Sequence, residues 1–215
     1  PGVKNGFVKW FDLDNDGFLD VMIAGGSGSA HVYMNDADNT FTEIANTFPS
    51  NKSMHSFATG DLNNDGFQDV FANYGGGYID SDASYPDRLW LNNTNANHWF
   101  TVQLRGVQSN RDAIGARVTI TGPWGTQIRE VRAGESYGIV TSFACNFGIG
   151  NATTIPTMTI NWPSGLVETF TDLAVDQTIV VIEDLCISPT VAIATSGAPI
   201  ICGNGDSVTL TADAG

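Results

Sequence analysis

The ten residues Asp12-Leu13-Asp14-Asn15-Asp16-Gly17-Phe18-Leu19-Asp20-Val21 recur as Asp61-Leu62-Asn63-Asn64-Asp65-Gly66-Phe67-Gln68-Asp69-Val70, identical at 8 of 10 positions and offset by 49. Such a string makes a good turn, because Asp and Asn bond their own backbone and Gly accepts positive φ. It is also the donor set of a hard cation. Positions 1, 3 and 5 offer side-chain oxygens (Asp12, Asp14, Asp16; Asp61, Asn63, Asp65), position 6 is the glycine of a sharp turn, and position 9 returns a carboxylate (Asp20, Asp69). Four carboxylates in one loop repel one another unless a cation sits among them, and two copies at one period favour calcium over a bare turn. An EF-hand is excluded. Its position 12 needs a bidentate Glu where this chain has Ile23 and Ala72, and no helical periodicity flanks either loop. By analogy with the seventh EF-hand position, the carbonyls of Phe18 and Phe67 complete the oxygen shell while the rings pack. The expectation is two Ca2+ sites of about 10⁻⁴ to 10⁻³ M affinity, the range of extracellular modules.

Outward from the loops the chain breaks into strand-length pieces: Leu19 to Ala24, the Gly25–Gly28 turn, His31 to Met34, an Asn35-Asp36 break and Thr40 to Ile44. The second copy repeats the order with Asp69 to Tyr74, a glycine turn at Gly75 to Gly77, and Arg88 to Leu91. Tyr33 and Asn35 correspond to Trp90 and Asn92 at an offset of 57, so eight extra residues fall around Tyr78 to Tyr85. A period near 49 without helix-period stripes fits units of about four short strands.

The whole chain of 215 residues carries 9 Lys+Arg against 23 Asp+Glu, a formal charge of −14. Such a balance repels nucleic acid and anionic membranes. With 15% charged and 42% hydrophobic residues the composition is that of a folded protein, not of a disordered acidic tail. No run approaches the roughly 18 apolar residues of a membrane-spanning helix, so no membrane insertion is expected. The chain opens on Pro1-Gly2, which reads as a processed chain or an internal fragment.

The pattern F-x-x-x-D-x-D-x-D-G-x-x-D at this period resembles the FG-GAP and VCBS repeats, the calcium-binding blades of integrin-type β-propellers, over roughly residues 7 to 95. A second resemblance follows. Asn97-His98-Trp99, then Ser109-Asn110-Arg111-Asp112-Ala113-Ile114-Gly115-Ala116-Arg117-Val118, Asn146-Phe147-Gly148-Ile149-Gly150 and Asn161-Trp162-Pro163-Ser164-Gly165 resemble the ASPIC/UnbV domain, named partly for the cartilage acidic protein. Asn146 stands where the family's H-F-G-L-G has His, so no role of that His carries over. The family's usual company is extracellular and it brings no established reaction, which implies a secreted or cell-surface location without naming a chemistry.

Read from the residues, this segment is an all-β unit. Phe100 to Leu104, Ala116 to Thr121, Gln127 to Arg132, Ile139 to Phe143, Met158 to Trp162 and Thr178 to Ile182 are strand-like runs punctuated by Gly, Pro or Asn, as in a β-sandwich or barrel-like domain. Trp162 reads as core. Arg111, Asp112 and Arg117 suit an internal ion pair fixing the Gly115 turn better than an anionic-sugar site. Trp124, in Gly122-Pro123-Trp124-Gly125, is the candidate exposed aromatic for ligand contact. His31, His55 and His98 are scattered without metal-ligand spacing, and no G-x-S-x-G, H-E-x-x-H or P-loop occurs, so no enzyme is expected.

From Cys186 to Gly215 there is no Lys, Arg or aromatic residue. The string Ile201-Cys202-Gly203-Asn204-Gly205-Asp206-Ser207-Val208-Thr209-Leu210-Thr211 resembles the opening strands of Ig- or PKD-like modules. That resemblance implies a partner for Cys202 further along the chain and leaves Cys145 and Cys186 as an intradomain disulfide, with Cys186–Cys202 the competing pair.

The expected organisation is all-β. Partial β-propeller blades occupy residues 1–95 as two calcium-binding repeats, a sandwich or barrel-like ASPIC/UnbV domain occupies 96–185, and a short β segment beginning an Ig/PKD-like module occupies 186–215. The expected function is a non-catalytic calcium-binding extracellular module for adhesion or protein interaction within a larger secreted or cell-surface protein, with a protein or glycan partner. The alternatives are a carbohydrate-binding accessory domain of a secreted hydrolase and a subunit of an extracellular fibre-like assembly.

Overall fold

Fourteen strands make up a computed structural model of the chain, which describes residues 6–25, 30–45, 47–48, 54–74, 86–135 and 140–184. Among these residues no helix is long and apolar enough to cross a membrane. The order is β1 (Gly6–Phe11), β2 (Asp20–Gly25), β3 (His31–Asn35), β4 (Phe41–Ile44), β5 (Met54–Gly60), β6 (Asp69–Tyr74), β7 (Arg88–Trp90), β8 (His98–Arg105), β9 (Arg117–Gly122), β10 (Gly125–Glu130), β11 (Cys145–Gly150), β12 (Thr154–Asn161), β13 (Val167–Ala174) and β14 (Gln177–Ile182).

Strands β1 to β4 form one antiparallel meander and β5 to β7 a second, each acidic loop joining the first strand of its sheet to the next. The second unit has three strands among the described residues, and the insertion around Tyr78 to Tyr85 lies outside them.

Strand pleating gives each blade two faces, and the internal repeat fixes which ones meet. Met22, Ala24, Val32 and Met34 on the first blade pack with Val70, Ala72, Tyr74 and Trp90 on the second, in one core with Phe7, Phe11, Phe48, Met54 and Phe57. In repeat register the counterparts of Met22, Val32 and Met34 are Phe71, Leu89 and Leu91, apolar and exposed. The reverse face of the first blade carries Val8, Trp10 and Phe41, also exposed, with Trp10 and Phe41 in edge-to-face contact at 6.0 Å. The blades therefore stack head to tail, leaving open one face of each kind that is closed between them.

The remaining strands form a sandwich without barrel closure. One sheet runs β10-β9-β12-β13 and the other β11-β8-β14, with β14 parallel to β8. Phe100, Val102, Cys145, Phe147 and Ile149 from the second sheet meet Val118, Ile120, Ile155, Met158 and Ile160 from the first in one core. Trp162 belongs to that core, as expected. Trp124 does not stand out as a ligand platform. Its indole folds back over Gly122, where an added Cβ would lie 2.4 Å from the ring, and it packs against the core with Nε1 buried. The absent side chain of Gly122 makes the space that half-buries the indole.

In the sandwich, two strands escape the sequence pattern. Of the strand expected over Ile139 to Phe143, Ile139 lies outside the described residues and Val140 to Phe143 form none, β11 following instead, and β13 joins the sheet edge through Val167 to Ala174. The Gly115 turn holds no ion pair, for among the described residues Arg111, Asp112 and Arg117 make none. Asn110 fixes it instead, donating Nδ2 to the Ile114 carbonyl while its Oδ1 accepts the Ile114 N–H. Cys145 is a free cysteine, 3% exposed in β11; the disulfide expected with Cys186 involves a residue outside those described. Cys186 and Cys202 lie outside the described residues, as does the whole segment 186–215.

Candidate metal centre

The two acidic loops share one frame of hydrogen bonds. Asn15 and Asn64 at position 4 take φ of 58° and 62°, and Gly17 and Gly66 at position 6 take 98° and 89°. The first carboxylate of each loop accepts the glycine N–H, Gly17 to Asp12 Oδ2 and Gly66 to Asp61 Oδ2, both at 2.9 Å. The ninth residue locks the loop at both ends. Asp20 accepts the Leu13 N–H and the Asn35 N–H, and Asp69 accepts the Leu62 N–H and the Asn92 N–H. The Asn35 and Asn92 side chains then donate back to the carbonyls of Leu19 and Gln68. These asparagines were visible in the sequence as repeat equivalents. Their role was not, because it depends on strands 15 and 23 residues away.

The loops differ in what covers them. In the first, oxygens of Asp12, Asp14 and Asp20 lie within 4.8 Å of one another. Asp12 is 2% exposed, and its Oδ1 has no hydrogen-bond partner. Burial pushes the Asp12 carboxyl up to about 7 against the pull of the Arg129 guanidinium, with Asp16 and Asp20 adding to the rise. Burial likewise pushes Asp20 up to about 6, against the backbone N–H groups of Asn35 and Leu13. Asp16 stands outside the three-carboxylate cluster and caps the Phe18 N–H.

The second loop is more open. Asn63 replaces a carboxylate and donates Nδ2 to Asp65 Oδ2 at 2.7 Å, while Asp65 Oδ1 accepts the Phe67 N–H. The rings at position 7 part company. Phe67 is buried as expected, whereas Phe18 is exposed, because Trp99 lies over the second turn at Gly66.

A region that the sequence did not link to the loops closes on them from the sandwich. Asn95 and Asn97 both donate Nδ2 to the Asp14 carbonyl, and the Gly150 N–H donates to the Asn15 carbonyl at 2.9 Å. Asn15 in turn donates Nδ2 to the Gly66 carbonyl, tying loop to loop. Lys9 of β1 pairs with Glu135 across the same junction.

A single carboxylate in the sandwich gathers its own ring of donors. Glu183, fully buried, accepts the successive N–H groups of Val107, Gln108 and Ser109 on Oε2 and the hydroxyls of Ser109 and Ser164 on Oε1. Burial acts to raise its carboxyl, but the hydrogen bonds from Ser164, Ser109 and Val107 bring it down to about 2. The Ser109 and Ser164 motifs are thus two halves of one clamp.

The fold is that of an all-β repeat protein whose blades carry acidic nine-residue loops and lead into a sandwich. Residues 12–72 match the family model of the FG-GAP-like repeat, and residues 106–186 match that of ASPIC and UnbV. The chain carries an FG-GAP-like repeat followed by an ASPIC/UnbV domain. No curated protein matches it.

Proposed function

We propose that the chain is a non-catalytic, calcium-stabilised interaction module of an extracellular protein. The observation that carries the metal reading is Asp12: a carboxylate 2% exposed, one oxygen without a partner, beside the oxygens of Asp14 and Asp20. An unpaired buried carboxylate is expensive to keep charged, and a hard cation bound by oxygens removes that expense. Asp12, Asp14, Asp16, the Phe18 carbonyl and Asp20 would hold one Ca2+. Asp61, Asn63, Asp65, the Phe67 carbonyl and Asp69 would hold the other.

The interaction reading rests on the open apolar faces. Phe71, Leu89 and Leu91 on one blade and Val8, Trp10 and Phe41 on the other match in kind the two faces that join the blades. Another blade of the same kind is the partner that fits, whether it belongs to the same polypeptide or to a neighbouring one.

Calcium titration calorimetry on the chain and its Asp12→Asn variant tests the metal reading. The chain is expected to bind two ions and the variant to lose the first-loop site. An absence of heat from the unsubstituted chain would reject the reading.

A further inference from the structure

Strand β11 is out of register with β8 between Gly148 and Gly150, a bulge that bends it onto the first acidic loop. The contact leaves no room for a side chain. A Cβ on Gly148 would lie 2.2 Å from Asp12 Oδ2 and 2.4 Å from the backbone of Asn15. Gly150, at φ +57°, donates its N–H to the Asn15 carbonyl, and a Cβ there would stand 3.4 Å from the Asp16 carbonyl oxygen. Gln127 of β10 completes the seat. Its Nε2 donates to the Gly148 carbonyl at 2.7 Å and lies 3.1 Å from where a Cβ of Gly17 would be. This seat accounts for the burial of Asp12 and Asn15 in the first loop, while their counterparts in the second, Asp61 and Asn64, are half-buried and exposed.

We infer that the Phe147-Gly148-Ile149-Gly150 edge, with Gln127, is a receptor surface for the ion-loaded conformation of the Asp12–Asp20 loop, so that calcium loading and docking of the sandwich on the blades reinforce each other. The inference rests on the calcium reading above and adds the sandwich residues that set the first site apart from the second. The glycines of this edge serve the neighbouring loop rather than their own sheet. Coupling of this kind is reciprocal: whatever loosens the seat weakens the ion, and removing the ion loosens the seat.

The test uses the full chain with Asn63→Lys, which places an ammonium in the exposed second loop and leaves the first loop to be read alone. That background is expected to bind one Ca2+. Adding Gly148→Ala is expected to weaken binding about tenfold or more, within the usual span of site coupling, and Gln127→Ala to weaken it in the same direction. Gly125→Ala, a sandwich substitution with no atom within 4 Å of the new methyl, is expected to leave affinity unchanged. Hydrogen exchange at the Gly150 amide of the unsubstituted chain gives an independent readout should Gly148→Ala fail to fold, and calcium is expected to slow that exchange. A background that binds calcium, with affinity unmoved by Gln127→Ala and Gly150 exchange unmoved by calcium, overturns the inference and leaves the calcium reading standing. A background and an unsubstituted chain that bind none take down both.

Discussion

Glu183 shows how much one side chain can gather. Its carboxylate ends the backbone orphanhood of three consecutive N–H groups and fixes two serines from motifs 55 residues apart. The carboxyl sits at about 2 in the fold against an ordinary 4.5, so the unfolded chain takes up the proton first as pH falls. Its stabilising contribution is therefore complete above about 4.5 and disappears as the pH drops towards 2. Glu183→Gln is expected to lower stability at pH 7 by about 2 kcal/mol, the scale of a charge-assisted network left partly unmet. Denaturant melts of both proteins from pH 7 to pH 2 check this: the gap should shrink with falling pH, and a gap constant with pH would contradict the assignment. Cys145 marks the opposite extreme, a thiol pushed up to about 12 chiefly by burial and so held protonated. The sequence did not mark Cys145 as buried, because burial is a property of the fold.

At the scale of single elements, the strands that follow the acidic loops were legible, since alternation and the repeat both marked them, whereas β1 and β5, which lead into the loops, were not named. Strand β11 was hidden by Gly148 and Gly150, which weaken a strand pattern, and these glycines prove to serve the loop packed on them. Strand β13 was hidden by Glu168 and Asp172 on a sheet edge, where charge is tolerated and the apolar alternation fades. The acidic loops themselves were legible as repeats, because their residue pattern is local in sequence. The covering residues Asn95, Asn97, Gln127 and Gly148 were not, because no local rule links them to a loop more than 75 residues away. Gly66 provides a test at this scale. It combines φ of +89° with Trp99 ring atoms 2.0 Å from an added Cβ, whereas Gly125 has φ of +103° and open space. Gly125→Ala is expected to lower stability by about 1 kcal/mol through backbone strain alone. Gly66→Ala should lower it by at least twice as much and weaken calcium at the second loop. Thermal melts of the two variants check the order, and equal losses would show that Trp99 does not seat on the turn.

Across the whole molecule, the head-to-tail stacking of the blades has a consequence for association. A contact between unlike faces need not close on itself, so a chain with one face of each kind open can add further copies. Light scattering is expected to show concentration-dependent self-association that Phe71→Ser reduces, since that change puts a hydroxyl at the centre of one open face. A strictly monomeric chain at all concentrations would contradict that expectation. The same scale carries the metal account, because both loops lie at the junction where the blades meet the sandwich. An ion held at roughly 100 times its dissociation constant stabilises the folded state by about 2.7 kcal/mol per site. For a chain of this length that raises the melting temperature by roughly 5–10 °C per ion. The most direct measurement is thermal unfolding of the full chain in excess calcium and again in chelator. The melting temperature is expected to rise clearly with calcium, more in the unsubstituted chain than in Asp12→Asn. Superimposable melting curves with and without calcium would contradict it.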